Sequence, residues 1–322
     1  MIINSYKQGD ENNISKLFNK VFNKEMSLKY WKWRFADNPN DIIMITLMWE
    51  KGELIGHYSA SPVKMQIGDK EVLSALSMTT MTHPDYGGKG IFTTLANDLY
   101  TYVYEKFDTK AVWGFPNNNS HYGFIKNLKW KDLDLIPQLS VQLENITLTN
   151  EISDILMPSE NFTFNEQHAK SYQKTIKNFS IKVLKDAAYL NWRYIGNPIN
   201  NYDVFQFKND TDIYFAVTKI FPSFSDKNSF EIDIVENSFP SDYSLLLKLL
   251  SSIKAYYKVY VINKINTWVP LDDSRHILFE RLGFVNSVPL TYFGIRVMDH
   301  SLYETYTDKR NWYISMGDSD VY

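Results

Sequence analysis

Hydrophobic positions change their period along the chain, and each change marks an element. Residues 2–6 read as a short strand, and Ile14, Leu17, Phe18, Val21 and Phe22 recur at the spacing of a helix with one buried face. A second helix is expected around Tyr30–Phe35. Strands follow at about 43–50, 54–67 and 71–82, joined at Lys51-Gly52 and Gly68-Asp69, dipeptides of the kind that close antiparallel hairpins. Phe92, Leu95, Leu99 and Val103 then share a helix face, before a strand at 111–115, a short helix near 118–127 and a strand region at 135–148. The remainder repeats the plan, with helices near 166–177, 186–194, 240–256 and 272–282 and strands near 202–208, 212–220, 229–236, 258–262 and 286–297. Both halves therefore read as mixed α/β (α+β), each a largely antiparallel sheet flanked by helices.

The halves also share residues. Tyr30, Trp33, Arg34, Phe35, Asn38 and Pro39 recur at identical spacing as Tyr189, Trp192, Arg193, Tyr194, Asn197 and Pro198. Phe124–Trp130 (FIKNLKW) is echoed by Phe279–Phe284 (FERLGF) at nearly the same offset. Two matches in the same order indicate a duplicated domain, and the expected division is 1–148 and 149–322. The Trp-Arg segment reads chiefly as a packing unit, with Trp and Tyr turned inward and Arg bracing a carbonyl or carboxylate; the alternative places Arg34 on a pocket rim.

Composition narrows the chemistry. The 322 residues suit two domains, and 44% apolar with 22% charged is the balance of a folded chain. A net charge of -3 gives no basic field for nucleic acid or anionic lipid, and no apolar run approaches a membrane span. Without cysteine there is no disulfide, thiolate metal site or cysteine nucleophile. The N-terminus lacks the order of a signal peptide, so a cytoplasmic location is expected. Six scattered histidines without HExxH spacing give no metal site, and neither GxGxxG nor GxxxxGK[ST] occurs.

The segment Thr82–Phe92 sits between a strand and a helix and contains three glycines, Gly87, Gly88 and Gly90. A helix start presents unpaired N–H groups and the positive end of the helix dipole, and glycine lets the main chain wrap an anion. The loop is a candidate pyrophosphate cradle to which Lys89 adds charge; a tight surface turn is the alternative.

Strand, HPDYGGKG, amphipathic helix, strand, Asn-rich loop, helix and Leu-x-Trp together resemble the GNAT superfamily of acyl-CoA-dependent N-acyltransferases. The resemblance covers most of residues 1–148. The second half resembles the same fold without the Gly-rich loop, as a degenerate copy in a tandem two-domain protein. The resemblance implies that Gly87, Gly88, Lys89, Gly90, Ile91 and Phe92 hold the pyrophosphate of acetyl-CoA. It also implies that the pantetheine arm runs beside Thr80, Met81 and Thr82, and that an amine attacks the thioester directly. Family members usually carry Arg or Gln at the position of Gly87 and Gly or Ala at that of Phe92. The Glu that many relatives use as base is absent from Ser77-Met78-Thr79-Thr80, and Phe124 and Ile125 stand near the place of the usual Tyr acid.

Other groups are therefore candidates for proton transfer: His121 as base and Tyr122 as acid, both in the segment after the fifth strand. Asn117 either contacts the pantetheine or caps a helix. His57 reads as a packed core histidine. The tail Trp312–Asp320 brings Asp318, Asp320 and the Tyr322 carboxylate as candidates for an acceptor's ammonium group, with Asp320 assigned to catalysis. The leading reading is an acetyl-CoA-dependent N-acetyltransferase acting on a small amine such as an amino sugar or related metabolite. A non-catalytic acyl-CoA-binding scaffold is the alternative, and cell-wall aminoacyl transfer, which usually needs a basic surface, is a third option.

Overall fold

The structure, a computed structural model, describes residues 1–147, 149, 154–223, 226 and 228–322. It divides into two compact units, Met1–Leu135 with Thr291–Asn311, and Ile136–Leu290 with Trp312–Tyr322. Residue 148, on which the expected end of a strand and of the first domain falls, lies outside the described residues.

The first unit contains β1 (Ile2–Ser5), α1 (Glu11–Phe22), α2 (Leu28–Trp31), β2 (Met44–Glu50), β3 (Glu53–Ile67), β4 (Lys70–Thr82), α3 (Ile91–Phe107), β5 (Ala111–Gly114) and the start of β6 (Lys131–Gln142). β1 to β4 pair antiparallel in chain order, β5 lies parallel to β4, and Gly294–Val297 pair antiparallel with β5. Leu95, Ala96, Leu99 and Val103 of α3 are buried among Met44, Met48, Ile55 and Tyr58, as the spacing predicts. Gly56 sets how closely α3 approaches β3: a Cβ there would lie 2.5 Å from Ile91 Cγ2 and 2.8 Å from Leu95 Cδ1. Removing the side chain lets the first turn of α3 press onto the sheet.

The second unit contains β7 (Ile155–Leu156), α4 (Glu166–Thr175), β8 (Ile181–Val183), α5 (Ala187–Leu190), β9 (Asp203–Lys208), β10 (Ile213–Pro222), β11 (Phe230–Asn237), α6 (Tyr243–Tyr256), β12 (Ile262–Thr267), α7 (His276–Arg281) and the start of β13 (Val285–Val297). Its strands run β6-β12-β11-β10-β9-β7, and β11 with β12 is the parallel pair. The strand expected at 258–262 begins only at Ile262; the Val259 and Val261 side chains before it are exposed, and the Val261 carbonyl accepts the Phe230 N–H. Leu246, Leu249, Leu250 and Ile253 of α6 pack with Phe205, Ile232, Ile234 and Ile265 in this unit's core.

The repeated Trp-Arg segment folds the same way twice. Ser27 and Asp186 cap short helices by accepting the N–H groups of Tyr30 and Tyr189, and each helix opens into a π-helical turn, Lys32–Ala36 or Asn191–Ile195. Both arginines are buried. Arg34 Nε lies 3.1 Å from Met78 Sδ, while Arg193 donates to the carbonyls of Gly317 and Ser319. Their role is packing and bracing. Among the described residues no helix is long and apolar enough to cross a membrane.

Candidate functional site

The site is set by an irregularity in β4. His57 of β3 stands opposite Met81, whereas Ser59, two residues on, stands opposite Met78, so β4 carries one extra residue. Thr79 absorbs it at φ +48°. Two β3 side chains hold this bulge: His57 Nδ1 lies 2.8 Å from the Thr79 carbonyl, and Ser59 Oγ donates to the Met78 carbonyl at 2.9 Å. Burial pushes the His57 imidazole down to about 4, with the Thr79 carbonyl pulling the other way, so it is neutral at pH 7. It is a core histidine.

β4 pairs with β5 only at Ala75–Val112 and Leu76–Trp113. Gly114 then brings the two main chains together, since a Cβ there would lie 3.1 Å from the Ser77 carbonyl oxygen. Beyond this point β5 offers no partner to Ser77–Thr82, the stretch containing Thr80, Met81 and Thr82. A hydrogen-bonded chain fixes the approach: Tyr58 contacts Ser77 Oγ at 2.8 Å and Tyr100 at 2.7 Å, and Trp130 Nε1 donates to Tyr100 at 3.0 Å. Trp130 of the Leu-x-Trp motif thus ties the end of this segment to α3 and β4.

The glycine loop follows directly. His83 anchors its entry: its main-chain N–H bonds the Ile55 carbonyl, and Nδ1 accepts the Asp85 N–H at 3.2 Å. Gly88 and Gly90 take φ +74° and +73°, with nothing within 4 Å of where a Cβ would stand. Among the described residues, no acceptor receives the main-chain N–H groups of Gly88, Lys89, Gly90, Ile91 and Phe92. These five donors sit at the positive end of a 17-residue helix, an arrangement suited to a phosphate-bearing ligand. Lys89 lies 4.4 Å above the Tyr86 ring.

Gly87 and Phe92, at the two ends of the loop, are accommodated differently. Gly87 has an ordinary φ of -57° and ψ of 151°, and an added Cβ would meet only the Pro84 carbonyl oxygen at 3.6 Å. Phe92 turns its ring into the core, 5.2 Å from Phe124 and 5.8 Å from Tyr58, and Gly123 makes room for it. The bulky side chain therefore leaves the outer face of the loop.

After β5, Asn117 Oδ1 accepts the N–H groups of Asn119 and Ser120, both at 3.0 Å, and so caps the next turn. His121 Nε2 lies 2.7 Å from Asp132 Oδ1, and its ring stacks on Tyr292 at 3.8 Å and 10°. With the Nε2 proton directed at Asp132, Nδ1 is the nitrogen left to take a proton. Tyr122 next to it is 69% exposed. Sequence reasoning selected His121 but missed Asp132 and Tyr292, which reach it only through the folding of β6 and β13.

In the second unit the corresponding parallel pair stays closed, with β11 and β12 in register from Glu231–Lys264 to Ile234–Thr267. Asp242 caps α6 by accepting the Leu245 N–H at 2.9 Å, placing a carboxylate where α3 presents free donors. In the tail, Asp318 is buried and pairs with Lys185 at 2.8 Å, the Tyr322 main-chain oxygen accepts from Arg193 and Tyr202, and Asp320 is exposed.

Comparison with known proteins bears on this geometry. Residues 3–131 match the Acetyltransferase (GNAT) domain. No curated protein matches the chain. Among solved structures, a GCN5-related N-acetyltransferase from Anabaena variabilis is similar at TM-score 0.69 and 10% identity, covering 92% of this chain and 73% of that one. Saccharomyces cerevisiae N-myristoyltransferase, solved with myristoyl-CoA, is similar at TM-score 0.61 and 12% identity over 91% of this chain and 82% of that one. Eis1 from Mycobacterium abscessus is similar at TM-score 0.62 and 13% identity over 96% and 76%. Residues 3–131, which carry the bulged β4 and the glycine loop at the head of α3, are thus similar to the GNAT acetyltransferase domain, and the chain shares the fold of these solved structures.

Proposed function

We propose that the first unit transfers an acetyl group from acetyl-CoA directly to the amine of a small molecule, an amino sugar or related metabolite. The observation that carries this reading is the run of five acceptor-free N–H groups from Gly88 to Phe92 at the head of α3, in a GNAT domain. These donors suit a pyrophosphate, and the open edge of Ser77–Thr82 offers main-chain groups to the amides of a pantetheine arm. The donor supplies an activated thioester carbonyl.

The chain's own residues handle protons. His121, held by Asp132 through Nε2, takes the proton lost by the attacking nitrogen at Nδ1. As the C–N bond forms and the C–S bond breaks, the departing thiolate takes a proton from Tyr122. Steady-state thiol release from acetyl-CoA, measured across a panel of amino sugars and simple primary amines, tests the proposal. Release that depends on the amine, with one acetylated product per thiol, is expected. Release at the same rate with and without every amine would overturn it.

A further inference from the structure

The second unit contains a cavity of about 610 Å³ against β10, β11 and β12, within the usual size of small-ligand sites. Its wall carries four charged side chains, Lys219, Glu231, Asp233 and Lys264, together with the Asn266 amide. Phe221, Val288 and Pro289 supply an apolar surface.

Buried charges persist when they are paired, and one pair here is satisfied within the protein. Glu231 accepts from Ser223 Oγ at 2.7 Å and Asn266 Nδ2 at 3.2 Å, and it pairs with Lys264 at 3.2 Å. Asn266 is itself fixed by Ser140, which donates to its Oδ1 at 2.8 Å. The other pair is not satisfied. Asp233 is only 3% exposed, yet among the described residues its sole donor is Asn266, 3.0 Å from Oδ1, and Oδ2 is left to the cavity. Lys219 has no ion pair among the described residues, with Asp233 or any other carboxylate. Burial, helped by the neighbouring Glu231 carboxylate, pushes the Asp233 carboxyl up to about 7, against the pull of Asn266, Lys219 and Lys264.

We propose that this cavity binds a small zwitterion of the α-amino acid type, its ammonium group on Asp233 and its carboxylate on Lys219. Lys219 and Asp233 stand opposite each other on β10 and β11 without forming an ion pair, and a ligand carrying the complementary pair of charges completes both without changing the net charge of the site. The ligand's side chain lies on Phe221, Val288 and Pro289. This site is built from the second unit alone and does not rest on acyl transfer by the first.

The test uses the full chain and each of the common L-amino acids as probe, read by thermal melting at millimolar concentration and then by calorimetric titration. At least one amino acid should raise the melting temperature. Asp233→Asn and Lys219→Met should each weaken its binding about tenfold or more, the loss expected for one charged hydrogen bond. The amine lacking that amino acid's carboxylate should bind the wild type weakly, and no more weakly in Lys219→Met. Both substitutions leave the Glu231–Lys264 pair in place, and Asp233→Asn preserves side-chain shape, so the melting curves of the unliganded variants check folding directly. Stabilisation by none of the amino acids, or stabilisation unchanged in both folded variants, would overturn the proposal.

Discussion

His121 and Asp132 meet at 2.7 Å, and Tyr292 lies flat against the imidazole at 3.8 Å. The carboxylate fixes which nitrogen carries the proton and the stacked ring fixes the plane, so His121 Nδ1 is presented in one orientation. His121→Ala should lower kcat by about 10²-fold or more, the usual contribution of a positioned base. Asp132→Asn should cost less, because the asparagine still braces the ring. Calorimetry on both variants should show acetyl-CoA affinity unchanged. Full turnover in His121→Ala would remove this residue from the mechanism.

Tyr122 is separable from its neighbour. Its exposed side chain makes Tyr122→Phe neutral for stability, so any change in turnover reports the hydroxyl. A fall in kcat with unchanged acetyl-CoA affinity is the expected outcome. Unchanged kcat would show that another group or water protonates the thiolate.

Gly87 offers a gain of function. Its backbone angles suit any residue and an added Cβ meets only the Pro84 carbonyl oxygen at 3.6 Å. Gly87→Arg should therefore fold normally and tighten acetyl-CoA binding about tenfold, through one charge-assisted hydrogen bond to phosphate. Calorimetric titration of the variant would contradict the placement of the loop if affinity were unchanged or weaker.

His57 gives the fold a pH dependence of known sign. Its folded-state value of about 4 lies below the ordinary 6.5, so between these values the unfolded chain binds more protons than the native one. Its contribution is complete above pH 6.5 and is lost as pH falls towards 4, amounting to roughly 3 kcal/mol across the window. In urea denaturation, His57→Gln should lose less stability than the wild type between pH 7 and pH 5. Parallel pH profiles would show that His57 is not buried neutral.

The tail is structural as far as Ser319. Lys185 is fully buried between Glu236 and Asp318; burial works against its charge, but Asp318 and Glu236 outweigh burial and hold the lysine above its usual range. Lys185→Met should cost about 3 kcal/mol or more in chemical denaturation, since it strands two buried carboxylates. Deleting residues 317–322 would remove Asp318 and the carbonyls that hold Arg193, so the truncated chain should also lose stability in chemical denaturation.

Much of this was legible in the chain. Apolar runs separated by the Lys51-Gly52 and Gly68-Asp69 turns placed β2, β3 and β4, and the face made by Leu95, Leu99 and Val103 placed α3, because each pattern matches one burial geometry. The glycine loop was legible because Gly88 and Gly90 sit where positive φ is required. The bulge was not, since Thr79 carries its positive φ without a glycine to mark it. Nor were Asp132 and Tyr292, because their meeting with His121 depends on how distant strands fold. Asp233 and Lys219 were not legible for another reason: on consecutive paired strands they look like ordinary sheet residues in sequence.

The central claim is that the head of α3 cradles an acyl-CoA. Calorimetric titration of the full chain with acetyl-CoA and with free CoA tests it most directly, with Gly88→Glu, Gly90→Glu as the paired variant. Both glycines stand at positive φ, and each glutamate adds strain and negative charge at the donors. Micromolar binding of both ligands by the wild type, lost in the double variant while the melting transition persists, is the predicted result. No binding by the wild type, or equal binding by the folded variant, would contradict the account.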